Sequence, residues 1–132
     1  MVYKHSCNGV TPDQLEGFFV EWPAAPSVEE HLRLLQNSAK AIVAIDASTD
    51  RVVGFITAIS DGVLAASIPL LEVLPGYQRQ GIGAELMKRM LGLLDGLYMI
   101  DLQCDPELVP FYEAVGMKAG VGMRVRQSTA IR

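Results

Sequence analysis

Apolar and polar positions along this chain follow two rhythms, and the rhythm changes at Ala41. Before it, the spacing is helical. Thr11-Pro12-Asp13-Gln14 reads as a helix start, because Thr11 can cap, Pro12 suits the first helical position and Gln14 can close a capping box. Leu15, Phe18, Phe19 and Trp22 then recur at helical spacing and predict one apolar face, ended by Pro23 and Pro26. Ser27-Val28-Glu29-Glu30 repeats the capping pattern ahead of Leu32, Leu34 and Leu35. From Ala41 the pattern is that of strands. Ala41–Ile45 is a short β-prone run, and Asp46–Asp50 is rich in turn formers. Arg51–Ser60 is a second strand, for which a hairpin is the simplest connection. After the Asp61-Gly62 turn signal, Leu64–Leu74 is a third strand. It is interrupted by Pro69, which lacks an N–H and so predicts an edge, a bulge or a local break in pairing.

Helical spacing returns after Pro75-Gly76-Tyr77. Met87, Met90, Leu91 and Leu94 sit at i, i+3, i+4 and i+7, with Glu85, Lys88, Arg89 and Asp95 on the other face. Leu97–Leu102 predicts a strand. A last helix, carrying Phe111, Tyr112 and Val115, starts near Glu107, since Pro110 is tolerated only in a first turn; Gly116 follows as its C′ residue. Val121, Met123 and Val125 alternate with Gly122, Arg124 and Arg126, so Val121–Gln127 reads as a final strand. The order predicts an α/β fold with a mixed sheet in two or three layers. One strand–helix–strand crossover near the end should be parallel and right-handed.

Composition narrows the class. A chain of 132 residues, half of them hydrophobic and only 20% charged, suits one domain, residues 1–132, with a real core. No apolar run reaches the roughly eighteen residues of a membrane span. Met1-Val2-Tyr3-Lys4-His5-Ser6 lacks the apolar centre of a signal peptide, so the expected setting is cytoplasmic, away from membranes. Cys7 and Cys104 read as free thiols, and no Cys/His pair has metal-ligand spacing, so no metal is expected. The net charge of −4 argues against general nucleic-acid binding and is compatible with a cationic substrate.

The candidate chemistry starts at Gln78-Arg79-Gln80-Gly81-Ile82-Gly83, between a strand and a helix. A helix start offers unpaired N–H groups and partial positive charge, glycines let a backbone approach a phosphate, and Arg79 can add charge. Taken alone, Gly-x-Gly fits a tight turn equally well. The Walker loop is excluded by spacing, and the dinucleotide fingerprint by Ala84-Glu85-Leu86 after Gly83. In context, Leu70 through Met87 resembles the central motif of the GCN5-related N-acetyltransferases (GNAT), Q/R-x-x-G-x-G/A between a strand and an amphipathic helix. Pro110-Phe111-Tyr112-Glu113-Ala114-Val115-Gly116-Met117 looks like that family's last-helix motif, with Met117 in place of the usual aromatic. The resemblance runs from about Val52 to Met123.

It implies a GNAT-like mixed, mostly antiparallel sheet flanked by helices, with a splayed central strand pair, and acetyl-coenzyme A as acetyl donor. By position, the pantetheine arm would lie along Leu71-Glu72-Val73. The pyrophosphate would meet Gln78, Arg79, Gln80, Gly81, Ile82, Gly83 and Ala84. The implied reaction is direct attack of a primary amine, on a small molecule or at a peptide N-terminus or lysine, on the thioester. Tyr112 matches the tyrosine that protonates the leaving sulfur, whereas periodicity alone makes it a half-buried core residue. Glu72 and Asp101 are the base candidates, and both could equally face solvent or satisfy a backbone donor. Trp22 is a candidate wall of the acceptor pocket, with Phe18 and Phe19 as core. Cys104 lacks an evident His partner and reads as a small hydrophobe. His31 reads as a surface or partly buried structural residue. A homodimer is compatible with the resemblance. The alternatives are a non-catalytic acyl-coenzyme A binding or sensing module, and a purely structural domain in which Gly81 and Gly83 serve a turn.

Overall fold

A computed structural model describes residues 1–127. Five strands form one sheet in sequence order: β1 (Val2–Lys4), β2 (Lys40–Asp46), β3 (Arg51–Ser60), β4 (Ala65–Val73) and β5 (Met99–Asp101). The first four pair antiparallel; β5 runs parallel to β4, as a strand–helix–strand crossover requires. The crossover helix is α2 (Ile82–Leu93), and α1 (Val28–Asn37) and α3 (Val109–Ala114) complete the helices of the described residues. This is a mixed α/β fold with an open, mostly antiparallel sheet. Among the described residues no helix is long and apolar enough to cross a membrane.

β2 and β3 are the buried centre. Residues 41–45 and 52–58 are buried without a break, because helices and covering chain lie on both faces. On one face, Ile82, Leu86, Met87 and Met90 of α2 are buried against the sheet, and a Cβ added at Gly54 of β3 would stand 3.2 Å from both Ile82 and Leu86. On the other face, Phe55 meets Phe18, Phe19 and His31. The capping box at Ser27 is present in full: the Glu30 N–H donates to Ser27 Oγ at 3.1 Å, and Glu30 Oε1 accepts from the Ser27 N–H at 2.8 Å.

Three expectations are corrected. The helix expected after Thr11 is a 3-10 turn, Pro12–Leu15. Gly17 at φ 96°, Phe19 at 61° and Glu21 at 67° take the chain out of helical geometry, although Leu15, Phe18 and Phe19 are buried as their spacing suggested. The final strand at Val121–Gln127 is absent. Val121 is 100% and Met123 91% exposed, and Gly120 and Gly122 weaken any strand there. His31 is only 1% exposed, packed under aromatic rings that its helical spacing gave no reason to expect. The strand β1 has too short a pattern to be read in advance; it is recruited by pairing with Val43–Ile45.

Candidate active site

The site begins with a defect in the sheet. The β3–β4 register runs from Gly54↔Val73 to Thr57↔Leu70 and then shifts, so that Ile59 faces Ser67. Ile68 and Pro69 therefore oppose the single residue Ala58: a bulge, with the residue that cannot donate placed inside it. Pairing of β4 with β5 stops at Ser67↔Asp101, at the same point. From Ile68 to Val73, β4 runs on with no strand on its β5 side. The Leu74 N–H donates to Val53 across β3. By alternation, the polar backbone groups of Leu71 and Val73 point away from β3, into the opening. This is the splayed pair expected from the resemblance.

The loop at the end of β4 is pinned at both sides. Tyr77 Oη donates to Asp46 Oδ2 at 2.7 Å, and the Gln78 side-chain amide donates to the Val73 carbonyl at 3.0 Å. Gln78, Arg79, Gln80 and Gly81 are exposed. Arg79 (φ 63°) and Gly81 (φ 85°) are both left-handed, a backbone combination that gathers N–H groups into an anion-binding concavity. Gly81 is the N-cap of α2 and carries no side-chain cap. Among the described residues, the N–H groups of Arg79, Gln80, Gly81, Ile82, Gly83 and Ala84 find no protein acceptor; the first helical bond is Glu85 N–H to the Gly81 carbonyl. Gly83 lies close to neighbours: a Cβ there would stand 3.5 Å from Phe111 and 3.8 Å from Val73. The start of α2, the end of β4 and the first turn of α3 thus converge.

That convergence brings α3 to the opening. Tyr112 packs edge-on against Phe111, with ring centroids 4.9 Å apart, and lines a cavity of about 390 Å³ with Leu102, Cys104, Val109 and Met117. Burial pushes the Tyr112 phenol up from its usual value, and the neighbouring Cys104 thiol adds to the rise. Cys104 and Cys7 are free thiols.

The carboxylates separate. Glu72 lies opposite Phe55 in the register and so projects to the sheet face away from α2. It is half-buried, and both its oxygens accept the Phe19 N–H, at 2.9 and 2.6 Å. Burial raises its pKa, and the Phe19 hydrogen bond only partly offsets this. Asp101 is exposed at the point where β4 and β5 part. Trp22 is 45% exposed and meets Phe19 at 5.0 Å between ring centroids. The structure therefore gathers the loop, the end of β4 and Phe111 of α3, with Tyr112 behind Phe111 in the cavity it shares with Cys104, and with Glu72 and Trp22 on the other side of the same strand. The tie between Phe19 and Glu72 was not legible in sequence, because it spans residues distant along the chain and uses a backbone donor. Among the described residues no group of His, Cys, Asp and Glu could hold a metal ion.

The comparisons agree with this fold. The pattern of the acetyltransferase (GNAT) domain matches residues 8–127. Two chloroplastic proteins of Arabidopsis thaliana are similar. GCN5-related N-acetyltransferase 3 is 40% identical over 63% of this chain, and GCN5-related N-acetyltransferase 1 is 30% identical over 86% of it. The matches span 34% and 59% of those proteins' own lengths. A crystal structure of a candidate acetyltransferase from Deinococcus radiodurans R1 superimposes with a TM-score of 0.92 at 47% identity, over 96% of this chain and 87% of that one. By domain pattern, relatives and fold, the chain belongs to the GNAT family of acetyltransferases.

Proposed function

We propose that this protein transfers an acetyl group from acetyl-coenzyme A to a primary amine by direct attack. The observation that carries the reading is the run of unpaired N–H groups from Arg79 to Ala84, at a helix start beside a free strand edge. Such a run fits a pyrophosphate, since each N–H without a protein acceptor is a donor already aimed and paid for. The backbone of Leu71 and Val73 is disposed to pair with the pantetheine amides, as an added strand would. Arg79 supplies positive charge at the rim.

The chain's own residues account for the proton movements. Glu72 takes a proton from the incoming ammonium and exposes the nitrogen lone pair. The nitrogen bonds to the thioester carbonyl carbon, the carbon–sulfur bond breaks, and the Tyr112 phenol gives its proton to the departing sulfur; the amide nitrogen sheds its remaining extra proton, and that proton restores the phenol. Half-burial favours Glu72 over exposed Asp101 as the base, because desolvation moves a carboxyl toward neutrality, where a base must work. Trp22 stands on the acceptor side with Glu72.

Thiol release across a panel of amines tests the reading. Tyr112→Phe should lower kcat by roughly 10- to 100-fold with acetyl-coenzyme A affinity unchanged, as loss of a general acid does. The wild-type rate should fall as pH drops through the raised Glu72 pKa, and Glu72→Gln should lose that limb. Unaltered turnover in the Phe variant would remove Tyr112 from the chemistry. Binding without thiol release for any amine would leave only an acyl-coenzyme A binding module.

A further inference from the structure

The free edge of β4 is not bare at its loop end. The Leu74 N–H donates to the Val53 carbonyl at 2.9 Å, so the polar backbone groups of Leu74 face β3. Those of Val73, one residue earlier, therefore face the other way. No strand of the described residues pairs with Val73 on that side, since β5 leaves β4 at Ser67. Yet the Val73 carbonyl has a partner. The Gln78 side chain folds back over the Pro75–Tyr77 turn, and its Nε2 donates to that oxygen at 3.0 Å. The donor is a carboxamide N–H, chemically the group that a neighbouring strand would present. At the far end of the open stretch stands Pro69, which has no N–H to offer.

Such a bond has a reason. An unpaired carbonyl on a half-buried strand edge is costly, and a bare edge invites another chain to pair with it. The bond is also easily exchanged, because Gln78 is exposed and its carboxamide is neutral. The firmer tie of the loop is elsewhere. Tyr77 Oη donates to the Asp46 carboxylate at 2.7 Å, a charge-assisted bond. Asp46 is itself held by the Ser48 N–H at 3.0 Å and the Ser48 hydroxyl at 2.7 Å. Downstream, Ile82 is buried under α2. The loop thus keeps its origin and its end when Gln78 lets go.

The geometry points to Gln78 as a removable cap on the cofactor's own docking edge: its side-chain amide holds the Val73 carbonyl until an amide N–H of the pantetheine arm takes that oxygen in its place. The inference rests on acetyl-coenzyme A as the donor. One amide–carbonyl bond replaces another, so the edge is satisfied with and without ligand. The exchange selects. A ligand that brings an amide donor to Val73 displaces the cap at little cost, whereas a thioester without one has nothing to offer that carbonyl. It also sets a ceiling, because the arm binds more weakly than the bare edge would allow, by the bond that Gln78 gives up.

S-acetylpantetheine, which has the arm without the pyrophosphate, and ADP, which has the pyrophosphate without the arm, separate the two halves of the site in the full-length protein. Gln78→Met keeps the side chain's length and removes its donors. It should raise the affinity for S-acetylpantetheine relative to that for ADP by roughly fivefold, the equivalent of one net hydrogen bond. Gln78→Ala, a second variant, should do the same. The ratio cancels any general damage to the loop, which would weaken ADP as well. An unaltered or lowered ratio would overturn the cap and make Gln78 a fixed prop. NMR gives a second readout. The Gln78 side-chain amide signal, identified by its loss in Gln78→Met, should move toward the position of free glutamine as wild type is saturated with S-acetylpantetheine. If acetyl-coenzyme A and S-acetylpantetheine both bind and that signal stays, the carbonyl accepts both donors and the cap alone is refuted. If wild type binds neither, the acetyl-transfer reading falls and takes the cap with it.

Discussion

Gly81 and Gly83 are the two glycines of one motif and have different physical reasons to be glycine. At Gly81 an added Cβ meets nothing within 4 Å, but φ is 85°. Gly81→Ala should therefore cost about 1–2 kcal/mol of stability through backbone conformation alone, and weaken acetyl-coenzyme A binding by turning the loop N–H groups away. Gly83 has ordinary φ and ordinary van der Waals room. Gly83→Ala should not lower Tm, since Ala is the better helix former by up to about 1 kcal/mol, but its methyl would crowd the phosphate approach. Melting curves with calorimetry separate the two. His31 gives a pH signature. Unfolded, it titrates near 6.5; folded, near about 4. The folded state binds fewer protons between those values, so stability present above pH 6.5 is lost as pH falls toward 4, by up to about 1.4 kcal/mol per unit. Denaturant titrations of wild type should show that slope, and His31→Phe should lack it.

At the scale of elements, local patterns were reliable where they closed on themselves. The Ser27–Glu30 capping box is a contract between near neighbours, and the helix begins at Val28 as read. Ser27→Ala should cost about 1 kcal/mol, seen as a lower denaturation midpoint with an unchanged m-value. The Arg51–Ser60 strand likewise begins and ends where its β-branched run does. Thr11 has the same capping vocabulary, with Gln14 Oε1 accepting the Thr11 N–H at 2.9 Å, yet only a 3-10 turn follows. There the apolar spacing of Leu15, Phe18 and Phe19 was right about burial and wrong about helix, because long-range partners, Glu72 and Phe55, reward a left-handed Phe19 more than helical bonds would. The Val121–Val125 alternation failed for another reason: β5 leaves an unpaired outer edge, yet this segment forms no ladder with it and stands exposed, with Gly120 and Gly122 weakening any strand.

At the scale of the molecule, the site is a consequence of where one sheet opens. Pro69 in the β4 bulge marks the place where β4 and β5 part, and the free edge of β4 leads to the loop, where Gly83 meets Phe111 of α3. A ligand gripping all three binds only the folded state. Acetyl-coenzyme A at about a hundred times its Kd should add about 2.7 kcal/mol and raise Tm by on the order of 5–10 °C, and Tyr112→Phe should keep that shift. The absence of any shift would refute the loop as a binding site. By itself the amino-acid order determined what is local: strand and helix spans set by periodicity, the caps, the strand–loop–helix around Gly81 and its resemblance to a family motif. Only the tertiary structure decided which faces meet: that β4 turns Glu72 toward Phe19 and its neighbours' backbone into the gap, that Asp101 is left in solvent, and that His31 is sealed with no hydrogen-bond partner among the described residues. Those outcomes depend on sheet register and on contacts between residues far apart in the chain, which no local pattern encodes.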